Sequence, residues 1–181
     1  MTICSIVWLL SSVYNLAAFQ TNQSVYTSVE TKQCRTIKST SAEAGSYEGR
    51  CRGTAGYSLI VEEGDLRTNV KVVTPKGRQH SLELWNVVSG GFSSLGPKAE
   101  WRVTRRAGKL VPVGLILRYN ASENASEPNK ITSYLVVAKV SSDGVCVTEK
   151  ILPGTNANAD ARRAADNAAS KNCLKAGESP P

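Results

Sequence analysis

"YSLIVEEGDLRTNVKVV" (residues 57–73) decides the fold class. Tyr57, Leu59 and Val61 alternate with Ser58 and Glu62, the period-two pattern of a strand with one face on a core and one in water. Gly64 and Asp65 supply turn chemistry, and residues 66–73 resume an extended, Val-rich run. The stretch predicts a β-hairpin.

Outward from this hairpin the same grammar repeats. "SLELWNVV" (81–88) predicts a further strand, and "SGGFSSLGP" (89–97), rich in Gly and Ser, predicts a loop. "AEWRVT" and "LVPVGLILRY" flank "RRAGK", a second hairpin turning at Gly108, with Pro112 marking an edge or a bulge. "ASENASEPN" (121–129) is a polar loop, and "ITSYLVVAKVS" (131–141) is the most apolar run, hence a central strand. "SSDG" turns the chain into "VCVTEKI". Upstream, "NQSVYTSV" is a polar approach to the first cysteine, Cys34.

"ARRAADNAASKNC" (161–173) is the one helical segment, with Asn156 or Asn158 as its cap, Asp160 near its start and Lys171 near its end. Ala161, Ala165, Ala169 and Cys173 fall at i, i+4, i+8 and i+12, widened by Ala164 and Ala168, so the helix is expected to carry a shallow alanine face ending on a cysteine. The expected fold is mainly β (α+β): an antiparallel β-sandwich or half-barrel of about seven to nine strands with one C-terminal helix packed on it.

A chain of 181 residues allows one domain, expected over 23–174, with a disordered tail at 175–181. The 22 basic and 15 acidic side chains all fall after position 29. Residues 1–22, with the apolar run "ICSIVWLL" and the small residues of "NLAA", read as a signal peptide or leader, although no Lys or Arg precedes the apolar run. Removing it leaves Cys34, Cys51, Cys146 and Cys173. Three pairings are open to four cysteines, and the near-neighbour one, Cys34 with Cys51 and Cys146 with Cys173, joins consecutive elements. In that pairing the second bond tethers a helix whose alanines bury little area. Secreted or periplasmic localisation is the expectation.

No GxSxG, HExxH, P-loop or GxGxxG motif occurs, and the only histidine is His80. No cofactor is expected. No CxxC occurs and His80 has no ligand-type neighbour, so no metal is expected either. The carboxylates Glu62, Glu63 and Asp65 surround a turn. Asp65 and Arg67, two apart, can project to one side, either as a structural ion pair or as a ligand site. In "EWRV", Trp101 and Val103 are expected to face the core and Glu100 and Arg102 to face outward.

The net charge of +7 adds a basic cluster, Arg102, Arg105, Arg106 and Lys109, on one hairpin. It points to an anionic envelope component or an acidic protein as partner. Nucleic acid is not expected, because no aromatics interleave with the arginines. The candidate binding residues are therefore Asp65, Arg67, Arg102, Arg105 and Arg106.

Gly56, Tyr57, Gly64, Asp65 and Arg67, the trio Glu100, Trp101 and Arg102, and the Ala-Arg-x-x-Ala-Asp helix (161–166) closed by Cys173 resemble a family of small secreted alphaproteobacterial proteins of uncharacterised function. The resemblance spans about residues 30–173 and implies export, a shared fold and bonded cysteines; it carries no activity. The functional expectation is an exported, non-enzymatic binding protein of the periplasm or cell envelope. The alternatives are an inhibitor of an envelope-degrading enzyme that inserts "SGGFSSLGP", and an envelope glycan or ester hydrolase using Asp65, Glu62 or His80. Once the leader is gone, no membrane span is expected.

Overall fold

The computed structural model describes residues 21–41 and 45–177. The apolar part of the expected leader, residues 1–20, and residues 178–181 of the expected tail lie outside the described residues. Ten strands form two five-stranded antiparallel sheets. The first holds β1 (Gln23–Ser28), β7 (Phe92–Arg106), β8 (Lys109–Ser122), β9 (Ile131–Val140) and β10 (Val145–Ile151), in that order. The second is a meander of β2 (Arg35–Thr40), β3 (Ser46–Arg52), β4 (Ser58–Gly64), β5 (Arg67–Val73) and β6 (Gln79–Ser81).

The hairpin of residues 57–73 is β4 and β5, but Gly64 still pairs with Arg67, so the turn residues are Asp65 and Leu66. Both are left-handed, at φ +48° and +57°. Two successive left-handed residues match the twist of paired strands, and this geometry outweighs the preference for glycine in the turn. Leu66 bears the cost, since it is a side chain in a conformation unfavourable by about 1–2 kcal/mol and stays largely in water. Leu66→Gly is expected to raise stability by about 1 kcal/mol, read as a shifted urea midpoint with an unchanged slope. A loss of stability would mean that Leu66 makes a compensating contact.

The two sheets share one core. Leu59, Val61, Val70 and Val72 from the second meet Trp101, Leu115, Leu117, Tyr119 and Val136 from the first. The outer face of the first sheet is apolar too, because α2 (Ala157–Asp166) packs Ala161, Ala164 and Ala165 on Ile116, Leu135 and Val137. This double burial explains why residues 134–138 of β9 are an unbroken apolar run: Tyr134, Val136 and Ala138 point to the shared core, Leu135 and Val137 to the helix. Gly114 lets the helix come this close, since a Cβ there would lie 2.8 Å from the Ala165 carbonyl oxygen. Pro112 pairs opposite a register shift at Arg102 and Val103, so it marks a bulge inside the sheet.

Several sequence expectations are corrected. Among the described residues there are ten strands rather than seven to nine, and the polar approach at 23–28 is strand β1, paired along β7. Of the expected strand 81–88 only Ser81 is extended, as the last residue of β6. After β6 the chain enters a one-turn helix, α1 (Leu84–Val87), because buried Asn69 accepts the Leu84 N–H at 3.2 Å and Glu83 turns left-handed at φ +52°. Leu82 and Leu84 are both buried, and so short an apolar run fits either period. The expected loop 89–97 contains the start of β7. Its glycines serve close approach, with a Cβ on Gly91 lying 2.0 Å from the Ser122 carbonyl oxygen. Ser93 is bound to Thr68 through two hydrogen bonds of 3.0 and 3.1 Å, so this stretch is not a free inhibitory loop.

The terminal helix also ends early. α2 stops at Asp166, where the Asn167 amide Nδ2 donates to the Arg163 carbonyl at 2.9 Å. Ala169 and Cys173 therefore leave the alanine row and are exposed. Asn156 occupies the N-cap position without a side-chain capping bond. Cys173 is nevertheless bonded to Cys146, with Cα atoms 5.7 Å apart, and Cys34 to Cys51, at 4.3 Å. The Leu174 N–H then donates to the Val147 carbonyl at 2.8 Å, which returns the chain to β10. Two disulfides are the mark of a chain that folds in an oxidising, extracytoplasmic setting. Among the described residues no helix is long and apolar enough to cross a membrane.

Candidate functional site

Alternation along β7 sends Trp101 and Val103 into the shared core and Glu100 and Arg102 to the side covered by α2. Arg102 grips Asp166 with two parallel bonds, Nε to Oδ1 at 2.8 Å and Nη2 to Oδ2 at 2.9 Å. Its Nη2 also donates to the Asn22 carbonyl at 2.9 Å, and the Asn22 amide donates to Asp166 at 3.0 Å. Asn22, on the leader side of the expected 22/23 boundary, is thus part of this network. One helical turn earlier, Arg162 Nε donates to Glu100 at 2.6 Å. Burial pushes the Glu100 carboxyl up, but the bonds from Arg162 and Ser24 outweigh it and hold the group below its usual value. The same bond holds Arg162 more firmly protonated than usual. Arg102 is 8% exposed and each of its three guanidinium nitrogens donates a hydrogen bond, so it clasps the helix and is turned away from any ligand.

Asp65 and Arg67 do meet, as an ion pair at the β4–β5 turn. Arg67 Nε also donates to the Gly90 carbonyl at 2.9 Å, and its guanidinium lies 5.4 Å from the Phe92 ring centre. Beside the pair opens a cleft of about 710 Å³, bounded by the ends of β3 and β4 and by α1. Tyr47, Glu48, Glu62, Glu63, Asp65 and Trp85 line it, together with the cations Lys38 and Arg67. Glu48 stands directly opposite Glu62 across the β3–β4 pair. Glu62 accepts from Lys71 and from the buried Asn69 amide at 3.1 Å, and the hydrogen bond to Glu62 raises the Lys71 pKa. Among the described residues no hydrogen bond or ion pair engages the Glu48 or Glu63 carboxylates. The cleft thus offers two carboxylates without a hydrogen bond or ion pair, Glu48 standing in register with Lys38 across the β2–β3 pair, and the half-exposed indole of Trp85.

His80 does not join them. It pairs with Val72, whose side chain is in the shared core, whereas Glu62 and Asn69 occupy the other face of that sheet. The three groups named for a hydrolase therefore do not converge: Glu62 and Asp65 border one cleft and His80 lies across the sheet from Glu62. Among the described residues no three His, Cys, Asp or Glu side chains gather into a metal-holding group. Arg105 and Arg106 are exposed at the β7–β8 turn with Lys109, where Arg105 reaches the Gly108 carbonyl at 3.4 Å.

Sequence reasoning missed Glu48 and Trp85. Glu48 lies in a segment read only as an excursion between cysteines, and its register against Glu62 depends on which strands pair. Trp85 lay inside an expected strand, where it would have been one more packed aromatic. No family model, no curated protein and no solved structure matches this chain.

Proposed function

We propose that the protein is exported to the periplasm or cell envelope and acts there by binding, without chemistry of its own. Recognition takes place in the cleft beside Trp85. The observation that carries this reading is the excess of carboxylates in one concavity, Glu48, Glu62, Glu63 and Asp65 against Lys38 and Arg67, beside a solvent-facing indole and within the roughly 300–1,000 Å³ typical of ligand sites. Such a lining favours a ligand with more than one cationic group, an amine or guanidinium over the ring and another against the carboxylates. The uncharged N-terminal run, the two disulfides and the resemblance to small secreted alphaproteobacterial proteins support the envelope assignment.

The test is a titration followed by Trp85 fluorescence and by calorimetry, with spermidine and a short Lys/Arg peptide as probes and an acidic peptide as control. Saturable binding of the cationic probes is expected, weakened about tenfold or more in Glu48→Gln with Glu63→Gln. In Trp85→Phe the fluorescence response should vanish while some heat of binding remains. Equal affinity for the acidic peptide, or no effect of the double carboxamide variant, would remove the cleft as the recognition site.

A further inference from the structure

Four turns that are far apart in sequence meet at the end of the molecule opposite the cleft. In the second sheet, Arg52 pairs with Ser58 and Val73 with Gln79, so the connections 52–57 and 74–78 lie at one end. In the first, Arg106 pairs with Lys109 and Val140 with Val145, which places the connections 105–109 and 141–144 together. The side chain of Arg78 joins the two groups by donating to the Ser142 carbonyl. These turns expose six basic residues, Arg52, Lys76, Arg78, Arg105, Arg106 and Lys109, and one acidic residue, Asp143. The turns and strand ends around the cleft carry six acidic residues, Glu62, Glu63, Asp65, Glu83, Glu123 and Glu127, against four basic ones, Lys38, Arg67, Lys71 and Lys130. The excess positive charge is therefore concentrated on one end.

We propose that this basic end docks the protein on an anionic membrane surface and leaves the cleft end facing away from it. The arrangement favours a plane over a strand-like polyanion. The cations are spread in two dimensions, across strands ~4.8 Å apart and sheets ~10 Å apart, instead of following a groove. Attraction to the bilayer is electrostatic and not insertive: Tyr26, Ile37, Leu66, Trp85, Phe92, Ile131 and Leu152 are the large apolar residues with high exposure among the described residues, and none lies in these four turns. Each basic side chain near an anionic bilayer contributes a binding factor of about five, so six held on one face suffice for reversible adsorption.

Sedimentation with vesicles tests the proposal, using equimolar phosphatidylglycerol and phosphatidylcholine against phosphatidylcholine alone, at about 0.1 M and about 1 M salt, where the Debye length falls from ~10 to ~3 Å. Binding is expected only to the anionic vesicles and only at the lower salt. Arg52→Gln, Lys76→Gln, Arg105→Gln and Arg106→Gln combined should lower the partition coefficient about a hundredfold or more. Lys130→Gln, at the other end, should change it by less than about twofold. Circular dichroism confirms that the combined variant is folded, and Arg105→Gln with Arg106→Gln alone provides a milder version.

Salt-independent binding, equal binding to the neutral vesicles, or an equal loss in Lys130→Gln would overturn the proposal. So would tight binding of soluble polyphosphate with no binding to vesicles, which would assign the patch to a polymer. Binding of cationic probes in the cleft is read separately, so either result can fail while the other stands.

Discussion

Replacing Arg102 by alanine is expected to cost about 3 kcal/mol of folding stability and to lower the melting temperature by about 6–12 °C. The residue is only 8% exposed, and its bidentate bonds to Asp166, with further bonds to Asn22 and Ser24, join β7, α2 and the segment entering β1. Truncation removes the cation and leaves Asp166 with only the Asn22 amide as a partner. Arg102→Lys should recover little, because an ammonium cannot bridge two carboxylate oxygens in parallel. Combining Arg102→Ala with Asp166→Ala should cost clearly less than the sum of the two single changes. Strict additivity would show that the bidentate bond contributes nothing beyond packing.

The neighbouring pair makes the same clasp sensitive to acid. The Glu100 carboxyl titrates below its unfolded value of about 4.3, so its contribution is complete above that pH and disappears as pH falls through the lowered folded value. Hydrogen exchange should show α2 losing protection below about pH 4 before β4 and β5 do. A Glu100→Gln variant should show less of this pH dependence, since the titrating group is gone.

Changing Cys146 and Cys173 together to serine is expected to cost about 3.5 kcal/mol, from loop-closure entropy over a separation of 27 residues. The Cys34–Cys51 bond closes a shorter stretch of 17 residues and should be worth about 3 kcal/mol. The two losses should differ in place as well as in size. Without the first bond, residues 167–174 are held to the sheets by few bonds, among them Leu174 to Val147 and the Lys171–Glu149 ion pair, so exchange should accelerate there and in α2. Without the second, β2 should fray, because it is an edge strand with every residue exposed. Uniform acceleration in both variants would mean that each disulfide acts only on the unfolded chain.

Much of the architecture was legible because its causes are local. The period-two alternation at 57–63, the turn at Gly108, the double-faced apolar run of β9 and both near-neighbour disulfides follow from residues within one hairpin or one adjacent pair of elements. The errors share a different cause. Leu82 to Val88 has strand-like alternation, yet a hydrogen bond from Leu84 to Asn69, fifteen residues earlier, turns it into a helix. Spacing alone carries the alanine row on to Cys173, whereas the Asn167 amide donates to the Arg163 carbonyl and ends the helix. Arg102 read as surface charge because its partner, Asp166, lies 64 residues away.

The sequence by itself determined the β4–β5 and β7–β8 hairpins, the apolar strand β9 and which cysteines are neighbours, since side-chain direction is set by backbone periodicity over a few residues. Only the tertiary structure decided what lies beside what. The register of β3 on β4 sets Glu48 opposite Glu62, the fold back through α1 brings Trp85 to the same cleft, and the stacking of two meandering sheets gathers Arg52, Lys76 and Arg78 with the β7–β8 hairpin. Those placements depend on strand pairing and sheet packing between segments tens of residues apart. No local pattern encodes them, because hydrophobic burial is indifferent to which polar side chains it leaves together at the ends.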